Sequence, residues 1–391
     1  MHLLRNLLKN KNSILAEYCK FNNLKTYKSL KFKNFNKMEF EKNKQILITG
    51  GAGYLGSVLV PMLLNDGYKV HILDCFYFGK DFFEKINHPN LKITEIDISH
   101  HESIPNLFKD VQTVIHLSGI SNDPSGDLDP NLTIHSNFLA TMSFARRAKA
   151  EGVQQFIFAS SCSVYGASGE KILDEQSQVG PVTLYALSKL QCEESLLSIA
   201  DSNFSVTLLR FATLFGYSPR MRFDLAINVM AKRGIQEKSI LLHGEGLQYR
   251  PFIHVKDVSK AIISVIKEDT AITNKQVFNV GNGNLNFMIK DLVKKINSFF
   301  PYSQIEKLEG NKDNRSYRVS FRKFERIFNF KAEYGVEDAL NEIEKAHKEG
   351  ILKDMDSEIY YNVEIMKKKI KNPLISYSPV YTPQENNRIN L

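Results

Sequence analysis

The stretch of residues 46–56 constrains the fold more than any other part of the chain, because it joins an apolar strand to an apolar helix through a glycine-rich turn. Gly51, Gly53 and Gly56 satisfy G-x-G-x-x-G, and Gly50 adds a second spacing, G-x-x-G-x-x-G. A phosphate can approach the backbone here, and the free N–H groups and partial positive charge of the helix start attract it. The stretch therefore predicts a phosphate-binding turn at the start of an α/β sheet.

An aspartate follows the second predicted strand at the distance expected for a ribose contact. Asp74 ends the apolar stretch 68–73 and lies 18 residues after Gly56. A carboxylate in this position accepts hydrogen bonds from both hydroxyls of an adenosine ribose. It repels the 2′-phosphate of NADP, and the segment 75–78 contains no arginine to neutralise that phosphate. We therefore predict NAD as the cofactor; the alternative is a strand-end carboxylate without a ligand.

Other strand ends complete the predicted cofactor site. Asp97 and Ile98 follow the third predicted strand, where a short acid can approach adenine, and Leu117 and Ser118 end the fourth, where the backbone can approach the cofactor. Asn137 lies in the first half of the next helix. The cofactor-binding residues predicted from these stretches are Gly50, Gly53, Tyr54, Leu55, Gly56, Asp74, Asp97, Ile98, Leu117, Ser118 and Asn137.

Strands alternate with helices as far as residue 217, which is typical of a doubly wound parallel sheet, the Rossmann fold of the α/β class. The later elements are shorter and predict a smaller C-terminal α/β substrate-binding domain. The predicted organisation is a basic, disordered N-terminal extension at 1–42, a NAD-binding domain at 43–217 to which later segments return, a mainly substrate-binding domain at 218–350 and a C-terminal tail at 351–391. The clearest helices are predicted at 130–150, 183–200, 255–267, 285–300 and 336–348. His116 lies inside the fourth strand and is predicted to be a hydrogen-bonded core histidine.

The net charge of +8 does not indicate a nucleic-acid partner. Residues 1–37 contain nine Lys or Arg and a single acid, Glu17, so the rest of the chain has no net charge. A folded domain that binds nucleic acid is expected to carry a basic surface of its own, without the help of such an extension. The four cysteines have no C-x-x-C spacing, which predicts neither a disulfide framework nor a metal site and favours a reducing compartment.

No apolar run approaches the length of about 20 residues that spans a membrane. The basic start of the chain leaves three interpretations open: a leader directed to an organelle, a disordered tail, or sequence upstream of a start at Met38. We expect a cytoplasmic protein, with the organelle leader as the alternative.

A tyrosine and a lysine one helical turn apart carry the predicted chemistry. A tyrosine hydroxyl has an ordinary pKa of about 10, so it acts as an acid or base at neutral pH only if its phenolate is stabilised. Tyr185 and Lys189 lie on the same side of a predicted helix, where the ammonium can lower the phenol pKa. Ser161, at the carboxyl end of the fifth strand, can bind the same substrate oxygen. The alternative for the pair is a solvated helix face.

Together these motifs resemble the extended short-chain dehydrogenase/reductase superfamily, in particular its nucleotide-sugar epimerases and dehydratases, over about residues 45–350. The resemblance implies NAD that is held tightly and recycled within one turnover. It implies Tyr185 as the base, Lys189 on the nicotinamide ribose and Ser161 on the reacting oxygen. The resemblance thus adds Tyr185 and Lys189 to the predicted cofactor-binding residues. It also implies a homodimer formed through the helices at 130–150 and 183–200.

The residues after the fifth strand help to choose a reaction within that family. Sugar-nucleotide 4,6-dehydratases have Thr-Asp-Glu in this place, where the acids serve water elimination, whereas this chain has Ser161, Cys162 and Ser163. The chain is more similar to the UDP-glucose 4-epimerase group, which removes a hydride from sugar C4 and returns it to the other face. A reductase or dehydrogenase that exchanges its cofactor, a dehydratase and a non-catalytic NAD-binding protein remain alternatives.

The predicted substrate is a nucleotide-activated sugar. Arg222, Arg250 and Arg315 fall where relatives hold the nucleotide diphosphate, a target that suits the guanidinium fork. Each of the three has a surface ion pair as its alternative role. The segments 121–130 and 218–225 resemble a less characterised branch of the family, which leaves the sugar and the nucleotide base open.

Overall fold

The computed structural model describes residues 45–309 and 315–371. The predicted extension at 1–42 and the end of the predicted tail, residues 372–391, lie outside the described residues. Within the described part, no helix is both long and apolar enough to cross a membrane.

A seven-stranded parallel sheet forms the centre of the described chain. Its strands are β1 (Gln45–Thr49), β2 (Lys69–Asp74), β3 (Leu91–Glu95), β4 (Val111–His116), β5 (Gln155–Ser161), β7 (Ser205–Phe211) and β11 (Gln276–Val280). Their spatial order is β11-β7-β5-β4-β1-β2-β3, so the chain winds outward in both directions from a switch point between β1 and β4. The predicted α/β class and doubly wound sheet are confirmed.

Seven further strands form three small sheets. They are β6 (Ala167–Leu173), β8 (Thr213–Phe215), β9 (Ser239–His243), β10 (Tyr249–His254), β12 (Asn286–Met288), β13 (Gln304–Leu308) and β14 (Ser316–Val319). The sheets are β12-β10-β8, β13-β9 and β14-β6. In the last of them β14 pairs with β6 in parallel, which brings the late segment around Tyr317 back to the region that follows the fifth strand.

Helices pack against the central sheet, and its inner strands β1, β4, β5 and β7 are almost completely buried, as expected for a parallel sheet, whereas the edge strand β3 is partly exposed. In chain order the described α-helices are α1 (Gly56–Asn65), α2 (Asp81–Glu84), α3 (Asp123–Gly126), α4 (Pro130–Ile134), α5 (Ala140–Ala150), α6 (Leu184–Ile199), α7 (Ala226–Gln236), α8 (Val255–Ile266), α9 (Thr270–Thr273), α10 (Ile289–Phe299), α11 (Arg322–Phe328), α12 (Val336–Lys348) and α13 (Asn362–Lys371). Short 3-10 turns lie at Ile98–Ser103, Cys162–Tyr165, Gly283–Leu285 and Glu358–Tyr360.

Two predicted helices differ in detail from the structure. The helix at 130–150 contains a π-helical turn, His135–Leu139, between α4 and α5. The helix predicted at 285–300 begins only at Ile289, because the preceding residues form β12 and pair with β10, Arg250 opposite Phe287. Asn286 fixes this extended segment, since its side chain exchanges hydrogen bonds with the backbone N–H and carbonyl of Val319. A tertiary pairing therefore overrides the helical pattern.

His116 is a core histidine, as predicted. Its side chain is fully buried, and its two ring nitrogens lie 2.9 Å from the hydroxyl oxygens of Thr49 and Thr141. The ring stacks on Phe156 and Phe158. Burial lowers the pKa of His116 from 6.5 to about 3, so the ring is neutral in the folded protein over the physiological range.

This burial predicts a specific loss of stability in acid. Below pH 6.5 the unfolded chain binds a proton at His116, whereas the folded chain does so only near pH 3. The free energy of unfolding should therefore fall by about 1.4 kcal/mol for each unit by which the pH is lowered between 6.5 and about 3. We expect His116→Gln to remove this contribution, which urea unfolding at pH 7 and pH 5 would detect. The exposed His100 provides the control, and an equal pH slope in wild type and His116→Gln would contradict the prediction.

Candidate active site

A cavity of about 1100 Å³ lies over the switch point, at the carboxyl ends of the central strands. Its wall brings together nearly all of the predicted site residues, although they come from distant parts of the chain. The predicted residues on the wall are Gly50, Gly53, Tyr54, Leu55, Gly56, Asp74, Asp97, Ile98, Leu117, Ser118, Ser161, Tyr185, Lys189, Arg222, Arg250 and Arg315.

Asn137 is predicted to bind the cofactor, but the structure does not place it on this wall. It is 2% exposed, and its side-chain oxygen accepts a 2.7 Å hydrogen bond from the Ile120 N–H while its amide donates to the Ile120 carbonyl. It also donates to the Ser188 hydroxyl. Asn137 therefore fastens the loop after β4 to α6, and its amide is used within the protein.

The glycine turn has the shape of a phosphate cradle. Gly50 has a φ of +68°, and a Cβ there would lie 2.7 Å from the Ser118 nitrogen, so neither conformation nor space admits a side chain. A Cβ at Gly56 would lie 2.2 Å from the carbonyl oxygen of Gly51. No side chain caps the start of α1, which leaves its positive end available to an anion. These features fit the pyrophosphate of a dinucleotide.

Asp74 lies at the end of β2 beside this turn. Its carboxylate accepts hydrogen bonds from the N–H groups of Ala52, at 2.9 Å, and Phe76, at 2.8 Å. Burial is the largest influence on the carboxyl group and raises its pKa, although the two N–H groups oppose this effect. Asp74 thus also braces the glycine turn; its contact with a ribose stays a prediction.

Tyr185 and Ser161 meet at the wall of the cavity. The Ser161 side chain lies close enough to the Tyr185 hydroxyl to lower the pKa of the phenol. Burial raises the pKa of Tyr185 to about 12, and the nearby carboxylate of Asp123 adds to the increase, while Ser161 and Arg222 oppose it. The protein alone therefore does not produce the lowered phenol pKa that the Tyr-Lys spacing predicts, because the loss of solvation outweighs the favourable contacts.

Lys189 explains part of this difference. Its ammonium donates a 2.9 Å hydrogen bond to the carbonyl of Ala159 and lies 4.8 Å from the ring centre of Phe158, compared with 5.9 Å from that of Tyr185. Burial lowers the pKa of Lys189 to about 8. The ammonium is thus held beside the tyrosine on the cavity wall rather than bonded to the hydroxyl.

A buried ion pair that the sequence does not reveal holds the helix that carries these residues. Glu193 lies one turn after Lys189 on α6, and its carboxylate contacts the guanidinium of Arg210 on β7 at 2.6 Å. Ser160 on β5 donates a 2.5 Å hydrogen bond to the same carboxylate, and Tyr165 accepts one from Arg210 at 3.0 Å. The network ties α6 to two central strands.

The three predicted arginines all reach the cavity wall, each with a partner. Arg222 forms a bidentate pair with Asp224, with both distances at 2.9 Å. Arg315 pairs with Asp123, whose carboxylate also accepts a hydrogen bond from Thr183. The Arg250 guanidinium donates hydrogen bonds to two backbone carbonyls: that of Tyr249, on the same strand β10, and that of Arg315, which immediately precedes β14. Their roles toward a substrate stay predictions.

The structure adds wall residues that the sequence analysis did not single out. Arg220 lies near Asp74, stacked on Phe78, and the residues of α13 line the same cavity. Helix α13 belongs to the predicted tail, whose composition gave no sign of a role. Among the described residues, no cluster of three or more His, Cys, Asp or Glu is arranged to hold a metal ion.

Comparisons with known proteins agree with this geometry. A UDP-glucose 4-epimerase of Bacillus subtilis is 27% identical over 272 residues, which cover 64% of this chain and 80% of that protein. A UDP-N-acetyl-alpha-D-glucosaminuronate decarboxylase of Bacillus cytotoxicus is 29% identical over 247 residues, which cover 61% of this chain and 75% of that protein.

A solved structure of MoeE5 in complex with UDP-glucose and NAD is 25% identical and aligns with a TM-score of 0.66, covering 78% of this chain and 99% of that one. A family model described as "NAD dependent epimerase/dehydratase family" matches residues 46–281, from the glycine turn to the end of the central sheet. The chain therefore belongs to the NAD-dependent epimerase/dehydratase family, whose members are enzymes of the extended short-chain dehydrogenase/reductase type.

Proposed function

We propose that the protein is an epimerase of a nucleotide-activated sugar, which oxidises the sugar transiently at C4 and returns the hydride to the other face. The observation that carries this proposal is the Ser161–Tyr185 pair on the cavity wall, in a segment where the dehydratase pattern would have acids. The carboxylates of Asp123 and Asp224, also on the wall, are each held by an arginine.

In the proposed reaction Tyr185 removes the proton from the sugar C4 hydroxyl, and Ser161 donates a hydrogen bond that orients the same oxygen. Bound NAD⁺ supplies a hydride acceptor at the carbon that bears this oxygen, together with a positive ring charge. Because the phenol pKa is about 12 in the protein alone, additional positive charge is needed for Tyr185 to act as a base at neutral pH.

Lys189 contributes in a second way. Since its pKa is about 8, it is mostly protonated at neutral pH, and its hydrogen bond to the Ala159 carbonyl fixes the ammonium on the cavity wall. The family resemblance assigns this group to the nicotinamide ribose. From that position it keeps a positive charge within 5.9 Å of the Tyr185 ring centre, which favours the phenolate.

The ion pairs of Asp123 and Asp224 argue against water elimination. Elimination from the sugar needs a proton acceptor at one carbon and a proton donor at the leaving hydroxyl. Asp123 and Asp224 are poor candidates for these roles because each carboxylate is already paired with an arginine, Arg315 and Arg222 respectively. Decarboxylation of a uronic acid needs no such donor, so it is tested alongside epimerisation.

The substrate, assembly and location are proposed on separate grounds. We propose that Arg222, Arg250 and Arg315 lie around the nucleotide diphosphate.

We also propose a homodimer. Leu139 and Leu187 support this assembly because they are 48% and 41% exposed on the two helices predicted to form the interface. Light scattering can test it. The described cysteines are all free thiols, which supports a reducing compartment such as the cytoplasm.

The proposed function predicts a distinctive isotope pattern. The purified protein is incubated with UDP-glucose, UDP-glucuronate and UDP-N-acetylglucosamine, each deuterated at C4, and the products are followed by ¹H NMR. We expect one of them to give its C4 epimer with the deuterium retained at C4, because the hydride leaves and returns within one active site. No net change in NADH absorbance should accompany turnover.

Other outcomes identify the alternatives. Loss of the C6 carboxylate as CO₂ indicates a decarboxylase, a 4-keto-6-deoxy product indicates a dehydratase, and stoichiometric consumption or production of NADH indicates a reductase or dehydrogenase. If the protein binds both NAD and the sugar nucleotides but no reaction occurs at C4, it is a non-catalytic protein. Each of these results overturns the epimerase proposal.

A further inference from the structure

A buried arginine without a salt bridge lies on the cofactor side of the cavity. Arg220 is 7% exposed, and its Nε and Nη1 atoms are buried without a hydrogen-bond partner. No salt bridge to this side chain exists among the described residues, whereas the neighbouring Arg222 is paired with Asp224. Because a buried cation without a salt bridge is costly, a guanidinium with two unbonded nitrogens in a ligand cavity indicates an anion that is to be bound.

The surroundings of Arg220 locate that anion at the dinucleotide. The backbone two to four residues earlier is tied to the glycine turn: Ser218 donates to the Tyr54 carbonyl at 2.7 Å, and Tyr54 donates to the Gly216 carbonyl at 2.6 Å. On the other side, the guanidinium carbon lies 3.6 Å from the ring centre of Phe78, in the segment that follows Asp74. Arg220 thus lies between the phosphate cradle and the predicted ribose contact.

The late helix α13 holds the guanidinium in this position. Asn362, its first residue, accepts a 2.6 Å hydrogen bond from Nη2 of Arg220 and donates one to Ser121 at 2.9 Å. Met366 is buried, and the ammonium of Lys369 lies 4.8 Å from the ring centre of Tyr77. The guanidinium therefore lies between an aromatic face and an amide, which leaves two N–H-bearing nitrogens for a ligand.

We propose that Arg220 is a cofactor-binding residue, contributed by the second half of the chain, whose guanidinium binds the pyrophosphate of NAD. The adenosine 2′-phosphate of NADP has the same chemistry, but Asp74 lies where that group would be and repels it. Electrostatics agree with the assignment: burial and the neighbouring Arg222 cation lower the pKa of Arg220 to about 9, and the carboxylates of Asp224 and Asp74 only partly oppose this effect. The proposal rests on cofactor binding and holds for any of the reactions considered above.

Binding measurements on the full chain test the proposal without relying on turnover. Dissociation constants for NAD, ADP-ribose, adenosine, NADP and UDP are measured by calorimetry for the wild type, Arg220→Met and Arg220→Lys. Since a hydrogen bond to a charged group contributes about 1.5–3 kcal/mol, we expect Arg220→Met to weaken NAD and ADP-ribose by about 10- to 100-fold. Adenosine and UDP should bind as in the wild type, and Arg220→Lys should restore part of the affinity.

Arg147→Met is the matched control, because Arg147 is a partly buried arginine outside the cavity that donates to backbone carbonyls. NAD and ADP-ribose constants within twofold of wild type in both Arg220 variants would overturn the proposal. Selective loss of NADP would move Arg220 to the 2′-phosphate, and selective loss of UDP would move it to the substrate. An equal loss of affinity for adenosine would indicate a damaged pocket. Each of these three results also refutes the assignment of Arg220 to the pyrophosphate.

A second variant tests the role of Asn362 as a positioning residue. Asn362→Asp gives Arg220 a permanent carboxylate partner that competes with the pyrophosphate, so NAD affinity should fall. The same substitution in the Arg220→Met background should have a much smaller effect, because the arginine that it neutralises is gone. Equal effects of Asn362→Asp in both backgrounds would show that the helix does not act through Arg220.

Discussion

Replacement of Tyr185 by phenylalanine is expected to lower kcat on the native substrate by about 100- to 10,000-fold. The change removes the hydroxyl that takes the sugar proton in the proposed reaction, while it preserves the aromatic ring on the cavity wall. NAD content and melting temperature should stay near the wild-type values. Turnover kinetics with the substrate identified by NMR would give kcat. Release of bound NAD on denaturation would give the NAD content, and thermal unfolding would give the melting temperature.

Tyr68→Phe is the matched control, because Tyr68 is a buried tyrosine outside the cavity wall. It should keep full turnover. A Tyr185→Phe enzyme with at least half of the wild-type kcat would show that another group removes the proton, and the proposed mechanism would then be wrong even though the family assignment stands.

Replacement of Glu193 by alanine is expected to destabilise the protein by about 3–5 kcal/mol, because it leaves the Arg210 guanidinium buried without its counter-charge. Both side chains are almost completely buried, and the carboxylate also accepts the hydrogen bond from Ser160. Because Glu193 follows Tyr185 and Lys189 on the same face of α6, turnover should fall as well. Urea unfolding followed by circular dichroism would give the change in free energy.

Two comparisons make this prediction specific. The exposed pair Asp66–Lys267 is the control: Asp66→Ala should cost less than about 1 kcal/mol, because solvent screens that interaction. The double variant Glu193→Leu with Arg210→Met should recover much of the lost stability, because it removes both charges. A cost below 1 kcal/mol for Glu193→Ala would mean that the ion pair does not hold α6.

The features that were predictable from the sequence are those encoded by local spacing. The glycine turn, the strand that ends at Asp74 and the Tyr185–Lys189 pair each lie within one short stretch, and helix and strand periods fix where their side chains point. The alternation of strands and helices then indicates a doubly wound parallel sheet. These local signals were sufficient for the family and for most of the cavity wall.

What the sequence could not show depends on contacts between distant residues. The role of Arg220 requires knowing that α13 returns to the cavity, and the role of Asn137 requires knowing that its amide meets the loop at Ile120. The pKa of Tyr185 depends on burial, which no spacing reports. Strand β12 takes the place of the start of a predicted helix because it pairs with β10 and because the Asn286 side chain bonds the backbone of Val319, 33 residues later.

The hydrogen bond between Asn362 and Ser121 joins residues 241 positions apart. The entropy cost of closing a loop increases with its length, and contacts of this kind form after nearer ones during folding. We therefore expect the part of the cavity wall that includes α13 to be completed after the central sheet has formed. On this expectation, a partly folded chain lacks the finished pocket that its ligand needs.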